Sequence, residues 1–142
     1  RIIPRTIIYL KLGKTIDLHG KGQTLRSFIH AFDVADFIYR AILRGKNGNI
    51  YHCAPSDGLR NIVDVVKLIC ELMGYKFESS VNLIKENFGQ DSKYSLDATK
   101  AKEELGWRQQ VSFEEGIKET IEWIEKNWEF IRNQPLEYIH KT

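Results

Sequence analysis

The stretch Ser112-Phe113-Glu114-Glu115 commits this chain to a helix more firmly than any other. A Ser followed three residues later by Glu is a capping box, in which each side chain answers an unpaired N–H at the helix start. Ile117, Ile121, Ile124 and Trp128 follow at spacings of four, three and four residues, which keeps them on one helical face. Such a stripe has to be buried, so the rest of the chain must supply a second apolar layer. Several stretches do. Pro4 suits a first helical turn, Ile3, Ile7, Ile8 and Leu12 form a stripe, and Gly13 closes it. Asp33 is the expected N-cap of a helix buried through Val34, Phe37, Ile38, Ala41 and Ile42. Asn61 caps a helix whose inner face is Ile62, Val65, Val66, Ile69 and Met73, ended by Gly74. Asp97 begins a short helix ending at Leu105-Gly106-Trp107.

The extended segments are short. Thr15 to His19 alternates like a strand, Gly20-Lys21-Gly22 is a turn, and Leu25 to Ala31 is a second extended run. After a loop at Gly45 to Asn49, Ile50 to Ala54 is expected as a short apolar strand. Tyr75 to Asp91 has weak periodicity and reads as loop with some strand, and the tail after Asn133 as surface-draped. Neither a repeat nor a flexible linker divides the chain. Helices mixed with short strands give an α/β or α+β fold in one domain.

With 142 residues there is enough chain for one core. Lys and Arg number 21 against 19 Asp and Glu, a balance that argues against a nucleic-acid binder. No apolar run approaches the roughly 20 residues of a membrane span. The start, Arg1-Ile2-Ile3-Pro4-Arg5, has no signal-peptide core and opens in mid-pattern, as a piece of something longer would. Two cysteines, Cys53 and Cys70, suit a reducing compartment, so a cytoplasmic protein is expected.

Chemistry is sparse in the sequence. It contains no G-x-G-x-x-G, no P-loop and no paired Cys/His metal spacing. His52 and Cys53 would face opposite ways on a strand, so neither a shared metal nor a shared proton follows. Cys70 shares a helix face with Ile69 and Met73 and reads as core. Glu103-Glu104 and Glu114-Glu115 lie on amphipathic helices and read as solvated. The turn Gly20-Lys21-Gly22-Gln23-Thr24-Leu25-Arg26 brings backbone close to anything bound, and Arg26 offers a planar fork suited to phosphate oxygens. A hairpin turn with a surface Arg is the plainer local reading.

Taken in order, however, the motifs resemble the C-terminal part of extended short-chain dehydrogenase/reductases, closest to nucleotide-sugar 4,6-dehydratases of the dTDP-glucose type. Arg1-Ile2-Ile3-Pro4 resembles K-L-I-P, and Lys14 to Gly22 (KTIDLHGKG) resembles K-x-L-P-[IL]-Y-G-x-G. Arg26-Ser27-Phe28-Ile29-His30 with Asp33-Val34-Ala35 resembles R-D-W-[IL]-[YH]-V-x-D-x-A. Gly48 to His52 resembles G-E-x-Y-N, the family's last core strand. Gly89 to Tyr94 with Leu96-Asp97-Ala98 resembles R-P-G-H-D-x-R-Y-x-x-D-A, and Glu104 to Trp107 and Phe113 to Trp123 resemble the closing helices.

The resemblance implies an α/β fold in which residues 1–142 form the substrate-binding region, with few strands and with the NAD-binding Rossmann half outside this chain. It implies a lyase that oxidises a hexose at C4, eliminates water across C5 and C6 and returns hydride to C6. A related 4-epimerase or decarboxylase, or a non-catalytic nucleotide-sugar binding domain, is the alternative. The implied ligand is a dTDP- or UDP-hexose, the implied cofactor NAD, and the full-length protein a homodimer acting in carbohydrate biosynthesis. No catalytic or metal-binding residue is assigned here.

Carried over position by position, Arg26 stands where the family grips the diphosphate, and Arg1 and Ile2 stand along the nucleotide. His19 replaces the Tyr beside the base, Asp17 a Pro of the same turn, and His52 a substrate-contacting Asn. Asn87 replaces the Arg of R-P-G-H-D and Gln90 its His. Losing that cation removes a charge-assisted contact worth about 1.5–3 kcal/mol. Since no glycine-rich dinucleotide turn is present, calorimetry of the chain with NAD should give no heat of binding. Micromolar binding would contradict this reading.

Overall fold

The computed structural model describes residues 2–86 and 91–135, and folds them as twelve short elements. In chain order they are α1 (Ile2–Lys11), β1 (Ile16–Leu18), a 3-10 turn (His19–Gly22), β2 (Leu25–Arg26), α2 (Ala31–Arg44), β3 (Arg60–Asn61) and α3 (Ile62–Met73). There follow α4 (Phe77–Ser80), β4 (Val81–Leu83), α5 (Thr99–Leu105), α6 (Phe113–Lys126) and α7 (Trp128–Ile131).

The capping box at Ser112 forms with both of its hydrogen bonds. Ile117, Ile121 and Ile124 of α6 are buried, against Ile7 and Leu10 of α1 and Val65, Val66 and Ile69 of α3. Cys70 completes that core, and both cysteines are free. The helix breaks at Asn127, so Trp128 opens α7 instead of extending the same stripe.

The expected hairpin does not form. β1 pairs in parallel with β4, Ile16 opposite Val81 and Asp17 opposite Asn82, whereas β2 pairs antiparallel with β3, Arg26 opposite Arg60. Parallel partners need a long crossover, here everything from the turn to α4. β4 lies in the stretch whose periodicity is weakest, because with three residues only Val81 is buried. The second extended run stops at Arg26 as a strand, and α2 already begins at Ala31.

Two expectations for α2 are corrected. Its N-cap is His30, whose Nδ1 accepts from the Phe32 N–H at 3.3 Å, while Nε2 lies 3.3 Å from Glu119 of α6. Asp33 instead sits inside the helix and is fully buried. Its carboxylate accepts from the backbone N–H groups of Gln110 (2.8 Å) and Val111 (3.2 Å), and its carbonyl accepts from the Trp107 indole at 3.0 Å. A buried carboxylate is tolerable only with such partners. The second correction concerns burial. Phe37 and Ala41 pack on a smaller core of Ala101, Leu105 and Trp107, but Ile38 and Ile42 face outward. With Phe32, Tyr39 and Leu43 they make a second apolar face that nothing covers among the described residues.

The segment Ile50 to Ala54 is not a strand here, since no neighbour offers it a hydrogen-bonding edge; Ile50 is 75% exposed. Asp97 stands just ahead of α5 and accepts from the Thr99 N–H (2.8 Å) and hydroxyl (2.7 Å), doing a cap's work from one residue further out.

Asp33→Ala should cost about 3 kcal/mol in urea unfolding, because it strands two inward-facing N–H groups. Three carboxyls sit below their ordinary values: Asp97 through the Thr99 hydroxyl and N–H, Glu104 through the Tyr51 hydroxyl, and Glu115 through Ser112. Their contribution is complete above the ordinary carboxylate range and fades as pH falls through the lowered values. The thermal midpoint should therefore be flat down to about pH 5 and decline below about pH 4, gently, because all three are exposed.

Candidate functional site

The most functional-looking part of the molecule is the turn between β1 and β2. Gly20 and Lys21 both adopt left-handed backbone, with φ of 57° and 53°. Gly permits this at no cost, whereas Lys21 needs support, which comes from its N–H donating to the Ile84 carbonyl at 2.8 Å. The Gly20 N–H donates to the Glu86 carbonyl at 3.0 Å. Gly22 lies so close to α3 that an added Cβ would stand 2.9 Å from both the backbone N and the Cβ of Val63. The Ile62 N–H donates to the Thr24 carbonyl at 3.1 Å and completes the stitching.

These bonds shape a concavity of about 560 Å³ lined by Ile2, Asp17, Leu18, His19, Thr24 and Ile62. Three of the sequence-expected positions, Ile2, Asp17 and His19, thus come together on one wall. Asp17 is held in place by the Asn82 amide, which donates to its Oδ1 at 2.9 Å.

Arg26 is half-buried just beyond this wall. Nη1 donates to the Leu25 carbonyl (2.8 Å) and Nη2 to the Asp91 carbonyl (2.9 Å). Two of its five N–H groups are used in this way, which fixes the plane of the guanidinium and leaves three for an anion. The cross-strand partner Arg60 is anchored by Asp57 at 3.1 Å and lies 4.3 Å from the Phe113 ring centroid. Its position opposite Arg26 was not legible without the register.

His52 stands apart, exposed on the irregular segment after α2 and outside this lining. Arg1, Asn87 and Gln90 lie outside the described residues. The segment carrying the last two is nonetheless tied at both ends to the turn region, by Glu86 to Gly20 and by Asp91 to Arg26. Cys53 carries no nucleophile at neutral pH: burial, and secondarily the Asp33 charge, push its thiol up to about 11. Among the described residues no three His, Cys, Asp or Glu side chains gather in a metal-binding group. What the site offers is a concave wall with an acceptor at one end and a fixed guanidinium at the other. It can bind and orient, and among the described residues it holds no acid–base or nucleophilic pair.

Residues 1–120 match the family model described as GDP-mannose 4,6 dehydratase. The chain is 32% identical over 139 residues to a dTDP-glucose 4,6-dehydratase of Shigella flexneri, covering 94% of this chain and 38% of that protein. It superposes on the crystal structure of the dTDP-glucose 4,6-dehydratase DesIV from Streptomyces venezuelae with NAD and TYD bound. That match has a TM-score of 0.85 and 31% identity over 92% of this chain and 40% of the other. A UDP-glucose 4-epimerase of Thermotoga maritima with UDP-glucose follows at a TM-score of 0.77 and 29% identity, covering 87% and 38% of the two chains. The chain therefore belongs to the GDP-mannose 4,6-dehydratase family. It spans well under half the length of these relatives.

Gly22→Ala should destabilise the fold by about 2 kcal/mol or more, through the left-handed φ and the contact with Val63. A thermal melt checks this, and an unchanged midpoint would mean that the turn does not press on α3.

Proposed function

We propose that this chain is the nucleotide-sugar-binding portion of an NAD-dependent 4,6-dehydratase, a lyase whose remaining half lies outside residues 1–142. The observation that carries the reading is the stitched turn. It sets Ile2, Asp17 and His19 along one wall, with Arg26 immediately beyond, in the order in which a nucleoside and its diphosphate would meet them. His19 can stack on the base, and Arg26 can take the diphosphate bidentately. The family resemblance further suggests Arg1 beside the nucleotide and His52, Asn87 and Gln90 toward the sugar and diphosphate.

No described element begins with the glycine-rich strand-to-helix turn that a dinucleotide needs, so these residues do not fit NAD and no hydride step is assigned to them. NAD would be held by a Rossmann half and would accept and return the hydride. This chain's own share is to hold the sugar nucleotide in register with that half. Support for a missing half comes from the bare face of α2 (Phe32, Ile38, Tyr39, Ile42, Leu43) and from Ile50 to Ala54, apolar and extended in sequence but unpaired. A helix with two apolar faces requires a covering layer on each. Likeness to the Thermotoga epimerase structure supports 4-epimerisation as the second reading of the whole protein.

A dTDP- or UDP-hexose is the substrate class favoured by the resemblance, and the protein is placed in cytoplasmic carbohydrate biosynthesis as a homodimer, with neither nucleic acid nor membrane as partner. No helix among the described residues is long and apolar enough to cross a membrane.

Arg26→Ala should weaken binding of a nucleoside diphosphate about tenfold or more, whereas Lys21→Ala on the exposed turn should change it less than twofold. Calorimetry with UDP and dTDP reads the two directly. Equal effects would contradict the placement of the diphosphate at Arg26.

A further inference from the structure

We infer that the base subsite beside the turn selects guanine, which makes the nucleotide portion of the ligand guanosine diphosphate; the inference rests on the nucleotide-sugar reading above and names its base. Along β1, Ile16 and Leu18 point into the core, so Asp17 between them must point out. Parallel pairing sets Asn82 directly beside it. The Asn82 amide donates to Asp17 Oδ1 at 2.9 Å and lies 3.4 Å from the Thr15 hydroxyl, which fixes the carboxylate without consuming it. Oδ2 has no partner among the described residues, and Oδ1 retains a lone pair. Among the described residues Asp17 is also the only acidic side chain lining the concavity, whose other walls are Ile2, Leu18, His19, Thr24 and Ile62.

A fixed carboxylate presents two acceptors side by side and asks for two donors side by side. Guanine has them, N1–H next to the 2-amino group. Uracil and thymine present a single N3–H between two carbonyls, so one carbonyl oxygen would face a carboxylate oxygen across the pair. Cytosine and adenine set an acceptor ring nitrogen beside their one amino group and clash in the same way. The family pattern has Pro at this position, which offers no polar group. The relatives described above are named for dTDP- and UDP-glucose, so Asp17 marks where this chain departs from them. At the far end of the ligand Arg26 meets the diphosphate whatever the base.

The test is calorimetry of the chain with GDP, UDP and dTDP at low ionic strength, repeated on Asp17→Asn. GDP should bind about tenfold more tightly than either pyrimidine nucleotide, the low end for one bidentate base contact because Asp17 is exposed. In Asp17→Asn one acceptor becomes a donor, which matches the N3–H and adjacent carbonyl of uracil. The GDP-to-UDP preference should then collapse or invert. Loss of negative charge alone would tighten all three ligands together, so the ratio is the readout. Asn82 can still donate to the carbonyl oxygen of the introduced amide, and circular dichroism should show an unchanged fold; should the variant misfold, the wild-type ratio decides alone. UDP or dTDP binding as tightly as GDP, or an unchanged ratio in Asp17→Asn, overturns guanine selection but leaves the nucleotide reading standing. If none of the three binds, or if binding is indifferent to Arg26→Ala, the nucleotide reading falls and guanine selection with it.

Discussion

The close approach of Gly22 to Val63 is the contact on which the site depends. It presses the turn against the start of α3, where the Thr24 carbonyl meets the Ile62 N–H. Strand β1 on one side and β2 on the other are held apart by it, each free to find a different partner. That separation makes the wall concave. Had β1 and β2 formed a hairpin, Asp17 and His19 would have lain on a flat ribbon, with Arg26 folded back beside them.

Asp33 plays the matching part in the second half of the molecule. Its carboxylate and carbonyl bind the segment from Trp107 to Val111, and so tie α2 to the smaller core and to the entry of α6. Burial of a charge in this way is a demanding device, and it fixes α2 in one orientation. The consequence is the outward apolar face: α2 cannot roll to hide Ile38, Ile42 and Leu43 without breaking those bonds. The bare face is thus a fixed feature of the fold, with the character of an interface.

Helices were legible from the sequence because their signals are local. The capping box at Ser112, the Gly74 and Gly106 stops and the stripes of α1 and α3 all rest on neighbours within a turn or two. Strand pairing was not, since β1 meets β4 across a long crossover and nothing in three residues announces a partner. Asp33 reads as a cap because Asp favours caps; only the tertiary structure brings two N–H donors to it. Ile38 and Ile42 read as core because periodicity reports that a face is apolar, without saying whether its partner lies in the same chain. The candidate site divides in the same way: Ile2, Asp17, His19 and Arg26 were found from motif order, whereas Asn82 and Arg60 needed the register.

The central claim is that a nucleoside diphosphate lies along the wall from Asp17 to Arg26. Titrating such a ligand into the isotopically labelled chain and following the backbone amides by NMR tests it most directly. The account predicts shift changes concentrated at residues 17 to 26 and at Ile62, rising together to one saturation curve. Changes confined to the outer face of α2, or an unperturbed turn at saturating ligand, would contradict it.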